Sequence, residues 1–374
     1  MKAGRTIATV AIVVLISATA LTYILDQQSL TSILNPFQQY YVPNLIQMTF
    51  YRNFSFSTSQ SGNGNYFLYM TLPENQSLQS GSVLISHSSN VLQNISQSTG
   101  RTYAKMTLSP GDEYVNFTYR FSSQGKDWQG TVADSGNISQ IPESLRAEYN
   151  HPEYFNTSQN QSYEVINPSI FRNLTLSITA NQSSVAGKLR AIYDYIVNNY
   201  RYNISYNLGN IPLTSLQVYQ GKIGDCEELS YLFESMSRSV GIPSWTQYGL
   251  LVQKSGSSYT IGNHAWIQTY IPLKNGSGEY VNIDLTVEVG HSDLGLGFLV
   301  KYPNALIEWT DNGNSTDMVD FHTFLKYPEF GLGQISYSED DGVQSFVQTG
   351  QTVINTNSSA LFTEAIVART WKYP

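Results

Sequence analysis

Apolar and polar residues alternate along the first third of the chain. FSFSTS (54–59), YFLYMTL (66–72), SVLIS (82–86), YAKMTLS (103–109) and YVNFTYRFS (114–122) place apolar side chains at every second position. That is the period of a strand with one face buried. The turn-forming stretches SGNGN, PENQS and SPGDE separate them. Short alternating strands with frequent turns predict an all-β, sandwich-like domain over residues 31–135. A single continuous sheet packed on the next domain is the alternative.

The pattern then changes. Residues 136–180 carry prolines and no long period, so they read as a connector with short helical turns. In QSSVAGKLRAIYDYIVNNYRYN (182–203), Val185, Leu189, Ile192, Tyr193 and Ile196 form one apolar stripe at helical spacing. A second helix is predicted to start at Asp225 or Cys226, to carry Leu229, Leu232, Phe233 and Met236, and to end at Gly241-Ile242-Pro243. Strands follow at 246–252, 264–271 and 280–287, the last two joined by a loop with Gly276 and Gly278. Helices followed by strands point to an α+β core over 181–292, with helices packed on an antiparallel sheet. Residues 293–374 read as a C-terminal extension of unclear fold: 310–317 and 338–342 resemble loops, and 321–325 and 345–354 either an extra helix or strands. There is no internal repeat.

The N-terminus adds a location. Residues 6–25 carry no charge, Lys2 and Arg5 precede them and Asp26 follows. Such a run is long enough for a transmembrane helix, with the rest of the chain outside. A cleaved signal peptide ending near Ala18-Thr19-Ala20, giving a secreted protein, is the alternative. Residues 1–30 are set apart from the fold in either case. Asn-x-Ser/Thr sequons begin at Asn53, Asn75, Asn94, Asn116, Asn137, Asn156, Asn160, Asn173, Asn181, Asn203, Asn275, Asn314 and Asn357. They suggest a glycosylated, extracytoplasmic surface protein. The net charge is −8 with only 13% charged residues, and no basic patch suggests nucleic acid as a partner.

Against that export signature, the chain holds one cysteine. No intramolecular disulfide is possible, so Cys226 invites a chemical reading. At a helix N-terminus its thiolate would be favoured by unpaired N–H groups and positive potential. Gly224 would let the chain turn closely, and N–H groups beside Cys226 could hold an oxyanion. Asp225, Glu227 and Glu228 read as ordinary acids of a helix start, whose charge opposes the helix in its effect on the thiol. A thiolate nucleophile needs an imidazole, and the imidazole an acceptor. His264 opens one strand and Asp284 lies on the next; a hairpin centred at 274 would set them opposite each other. The other histidines, His87, His151, His291 and His322, fall in no metal-ligand spacing, so no metal or other cofactor is expected.

GDC (224–226), RSVGIP (238–243), HAW (264–266) and DLT (284–286), in this order, resemble the transglutaminase-like superfamily. The resemblance spans 181–290 and includes the helix ending in YRYN; the preceding β domain is similar to that of secreted prokaryotic members only weakly. It implies a papain-like α+β core and a Cys226–His264–Asp284 triad: nucleophile, general base and acid, orienting group. It also implies acyl transfer at an amide through a thioester, with a protein or peptide substrate at the cell surface and hydrolysis as the expected outcome. A cross-linking transglutaminase, or a catalytically silent binding or assembly module using the same cleft, is the alternative. Trp245 stands where members often have Arg, and Leu285 where Pro is common; both departures bear on substrate preference. Trp245 and Trp266 are expected in the cleft, Trp266 either shielding the thioester or filling the core. The chain is expected to come from a prokaryote, possibly an archaeon.

Overall fold

The computed structural model describes residues 40–354, except 59–65, 99–100, 157–160, 205–210, 256–257, 288, 290–294, 315–323 and 327–334. The expected anchor and the sequons at Asn160 and Asn357 lie outside the described residues. Among the described residues, no helix is long and apolar enough to cross a membrane.

Six strands open the fold: β1 (Tyr41–Thr58), β2 (Tyr66–Thr71), β3 (Gln79–His87), β4 (Leu92–Ser98), β5 (Arg101–Leu108) and β6 (Glu113–Gln124). The connector holds helix α1 (Glu143–Tyr149), a hairpin of 153–156 with 162–166, and helix α2 (Pro168–Ile178). Helices α3 (Val185–Asn199), α4 (Ser215–Gly221) and α5 (Cys226–Ser239) follow. Strands β7 (Ser244–Ser255), β8 (Ser258–Pro272), β9 (Gly278–Ile283) and β10 (Ala305–Thr310) build the core sheet, and β11 (Phe324–Lys326) and β12 (Ile335–Val353) return to the first six strands.

Two four-stranded sheets, ordered β12-β1-β6-β3 and β11-β2-β5-β4, face each other. The alternation sends Phe50, Phe54, Phe117 and Tyr119 from one sheet, and Leu68, Met70 and Met106 from the other, into one apolar core. The third sheet is ordered β9-β8-β7-β10. Ile267, Ile271, Val281 and Ile283 of its β8 and β9 pack on α3 and α5. Leu250, Val252 and Leu306 of β7 and β10 reach the core of the paired sheets, so the two halves share a wall. Gly249, where the β7–β10 register shifts, has no room for a side chain: a Cβ there would lie 1.7 Å from the Leu306 carbonyl oxygen.

The region read as an unclear extension therefore serves both halves. β10 joins the core sheet, and β11 and β12 add an edge strand to each of the other two. The acidic SEDDG stretch, expected as a loop, lies inside β12 opposite Asp340↔Asn53 and its neighbours. Arg52 of β1 makes it tolerable there, donating to Glu339 at 2.8 Å and standing 3.6 Å from Asp341.

Helix α5 is central, with every residue from Glu228 to Ser239 buried. Asp225 caps its start: the Glu228 N–H donates to Asp225 Oδ1 (3.0 Å) and the Asp225 N–H donates to Glu228 Oε2 (3.1 Å). This is a capping box. Its end is a Schellman turn, with Gly241 at φ +86 and the Ile242 N–H donating to the Ser237 carbonyl. The helix start is thereby fixed at Cys226 to within one residue.

Candidate active site

Each part of the site is held by a different element. Cys226 is the first residue of α5, delivered by the short strand Ile223–Gly224, which pairs in parallel with Arg201–Tyr202. Gly224 is buried and its surroundings are tight, since a Cβ would meet Glu228 Cβ at 3.2 Å. His264 lies on β8, opposite Gly249 of β7. Asp284 follows the last residue of β9 and leads into a 3₁₀ turn (Leu285–Val287).

These three side chains meet. His264 Nε2 lies 2.8 Å from Asp284 Oδ2, and the Cys226 thiol stands close enough to the imidazole for each to shift the other's titration. Because Nε2 faces the carboxylate, Nδ1 is the nitrogen left for the thiol. Asp284 is itself held: its Oδ1 accepts from the Thr286 N–H (3.0 Å) and hydroxyl (2.7 Å). Thr286 of the DLT motif thus orients the carboxylate. His264 and Asp284 are 2% and 5% exposed, while Cys226 is half-buried.

The pairing differs from the expected one in register. β8 and β9 pair Ile267 with Ile283 and Pro272 with Gly278, a hairpin centred at 275 rather than 274. Its tight turn, closed by the Leu273 N–H donating to the Ser277 carbonyl (2.8 Å), sets that centre. Continued by one step, the ladder would set Asp284 opposite Trp266. Asp284 instead reaches His264 diagonally, just past the end of β9.

Charge and burial act in opposite directions here. Burial works against the imidazolium, but the Asp284 carboxylate, its hydrogen bond and the thiol outweigh it and hold His264 up at about 10. Burial also pushes the Cys226 thiol up; His264 opposes this and Asp225 reinforces it. The expected lowering by the helix start is overridden. Asp225 itself is raised to about 6, by burial and by the Glu228 charge. The site is therefore a strong base beside a reluctant thiol.

The two tryptophans part company. Trp266 is buried, with its ring 5.6 Å from the His264 ring and its Nε1 donating to Gln247 Oε1 (2.8 Å). Trp245, expected in the cleft, is not beside the thiol. It pairs with Gln268, four residues along β8 from His264, about 13 Å by strand rise. There it stacks on Tyr149 at 4.3 Å and donates to Gln268 Oε1.

Sequence reasoning missed three residues. Tyr248 and Trp309 form, with Ala265, the buried apolar cluster against which Cys226 packs. Tyr202 is paired with Gly224 and 37% exposed. Its phenol is raised by burial and then by the charges of Cys226, Asp225 and Asp284, so it stands within Coulomb range of the nucleophile and its orienting acid. The signal was the YRYN stretch, whose second tyrosine follows the helix end.

Among the described residues, Glu153, Glu234 and Asp311 form a buried acidic cluster with metal-ligand proximity. The Arg238 guanidinium already fills it: it pairs with Glu153, with Glu234 at 2.8 Å and with Asp311 at 3.7 Å. Of the eleven described sequon asparagines, Asn75, Asn94, Asn137, Asn173, Asn181, Asn203, Asn275 and Asn314 are exposed, and Asn53, Asn116 and Asn156 are half-buried.

Residues 172–285 match the family model of the transglutaminase-like superfamily. Uncharacterized protein YebA of Bacillus subtilis is 25% identical over 122 residues, which are 28% of this chain and 16% of that protein's length. Among solved structures, a "putative cysteine protease" from Cytophaga hutchinsonii is similar over 86% of this chain and 97% of its own, at a TM-score of 0.56 and 12% identity. That likeness concerns the fold. The periplasmic domain of TgpA from Pseudomonas aeruginosa aligns over 68% of this chain and 84% of its own, at 12% identity and a TM-score of only 0.34.

Proposed function

Starting from the transglutaminase-like core that residues 172–285 carry, we propose that the protein is a thiol enzyme that transfers acyl groups from amides, and that hydrolysis of peptide or amide bonds is its reaction. The observation that carries this reading is the His264–Asp284 hydrogen bond at 2.8 Å, set beside the half-buried Cys226 at the start of α5.

In the proposed sequence, Cys226 and His264 act as a pair that shares one proton, Asp284 favours that proton's place on the imidazole, and Sγ attacks the amide carbon as the thiolate. Asp284 raises the proton affinity of the imidazole, which is what drawing a proton from a raised thiol requires. The carbonyl oxygen becomes an oxyanion beside the Cys226 N–H at the helix start, where N–H groups lack intrahelical partners. Tyr202, within Coulomb range of Cys226, is proposed as a second donor. The imidazolium gives its proton to the leaving amine, and a thioester remains on Cys226. Water then attacks the thioester, with His264 as base, and the acid product leaves. Transamidation would replace that water with an amine.

The proposed setting is extracytoplasmic, with residues 6–25 as anchor and glycans on the exposed sequons. A protein or peptide at the cell surface is then the substrate.

The test is the rate of Cys226 alkylation by iodoacetamide against pH, in the wild-type chain and in His264→Ala and Asp284→Asn. We expect the wild type to react at least about tenfold faster than either variant at pH 7, in line with loss of a positioned base. Equal rates in all three would make the cleft a silent binding module.

A further inference from the structure

A cavity lined by none of the three triad residues borders the core sheet. It measures about 300 Å³ and opens between the 76–79 turn of the first domain and the strand pair β8–β9. That volume is at the lower end of small-molecule sites. Gln268 and Asn282 form part of its wall, Trp128 and Tyr280 offer aromatic surface, and Lys301 closes its inner end. Gln268 is four residues from His264 along β8, so the cavity is distinct from the triad.

Lys301 is the unusual member. It is 4% exposed, and its Nζ donates to two neutral oxygens, Ser123 Oγ (2.9 Å) and the Gln124 carbonyl (3.0 Å). Among the described residues no carboxylate pairs with it. The lining carboxylate of Glu279 is already engaged, accepting from Lys126 Nζ (3.2 Å) and Trp128 Nε1 (3.3 Å). Burial alone lowers the Lys301 ammonium to about 7. A buried cation without a counter-charge is costly, and this one borders empty space large enough for an anion. Two amides beside it have capacity to spare among the described residues. Gln268 uses its oxygen for Trp245, and Asn282 uses its NH₂ for Gln247. That leaves an NH₂ and a carbonyl oxygen for a ligand.

We propose that this cavity is a second binding site for a small carboxylate-bearing ligand, with Lys301 taking the carboxylate and Gln268 and Asn282 a hydroxyl- or amide-bearing body. A uronic acid and the free C-terminus of a short peptide both present this chemistry. The proposal does not depend on the reaction proposed at Cys226.

Binding is read by tryptophan fluorescence, because Trp128 lines the cavity, and by thermal shift. The probes are glucuronate against glucose, and acetyl-Gly-Gly against acetyl-Gly-Gly-amide. At least one acid should saturate with a Kd of about 1 mM, and its neutral counterpart should bind at least about tenfold more weakly. Which acid binds tighter identifies the source. Lys301→Met should lose about tenfold or more, as should Ser77→Trp, which fills the mouth from an exposed position. The second variant carries the test if the first fails to fold. No response to either acid at about 20 mM, well above a millimolar Kd, would overturn the proposal. So would acid binding that is unchanged in the variants that fold.

Discussion

Tyr202 and Arg238 illustrate how differently single residues carry weight here. Tyr202 stands close enough to Cys226 to share its electrostatics, which is why its phenol is the proposed side-chain donor to the oxyanion. In Tyr202→Phe we expect kcat to fall about 10- to 100-fold with little change in KM, as when one such donor is removed. Single-turnover hydrolysis of a peptide ester would measure it. Arg238 touches no substrate. Among the described residues its guanidinium is the one cation paired with three buried carboxyl groups, so Arg238→Ala should destabilise the fold by about 3–5 kcal/mol in urea unfolding. In the sequence, Arg238 was legible only as part of the RSVGIP motif. Its task was not, because Glu153 and Asp311 lie 85 and 73 positions away and only the fold brings them together.

At the scale of elements, the capping box of α5 links structure to reactivity. Asp225 holds the helix start through its oxygen and burdens the thiol through its charge. Asparagine caps helices about as well as aspartate. Asp225→Asn should therefore keep stability within about 0.5 kcal/mol while moving the pH midpoint of Cys226 alkylation downward; an unmoved midpoint would separate the cap from the thiol. Elements with strong periodicity were legible: α3, α5 and most strands of the first domain lie where alternation or helical spacing set them. β4 was missed because LQNISQS is mostly exposed on both faces, and β12 because its acids are balanced by an arginine from another strand. The His264–Asp284 pairing was legible in kind but not in register. A one-residue change in the turn centre moves a strand partner by two.

Over the whole molecule, the wall shared by the two halves buries a titratable group that neither site uses. Glu308 on β10 is 2% exposed, and burial raises its carboxyl from an ordinary 4.5 to about 8, against the pull of Arg52 and Arg101. Between those values the folded chain binds a proton that the unfolded chain has lost. Its contribution to stability is full below about pH 4.5 and falls as pH rises towards 8. Glu308→Gln should flatten that decline, measured as urea midpoints at pH 5 and pH 8. At the same scale, intact-mass measurement of the membrane fraction before and after glycan release should find residues 6–25 retained and extra mass on the exposed sequons; an unmodified chain starting at Leu21 would remove both the anchor and the glycans from the proposal.

The pairing of β1 with β12 has a consequence in time. Tyr41 meets Val353 and Thr58 meets Ile335, so β1 waits for a strand synthesised roughly 300 residues later. Until then β1 offers an open edge, and pairing over so long a stretch of chain is slow once it begins. The α+β core between them can assemble first, since its sheet draws on 244–310 alone. A chaperone would then meet a finished α+β core whose first domain is still unsealed. The last hydrogen bonds to form would be the ones that zip β1 to β12.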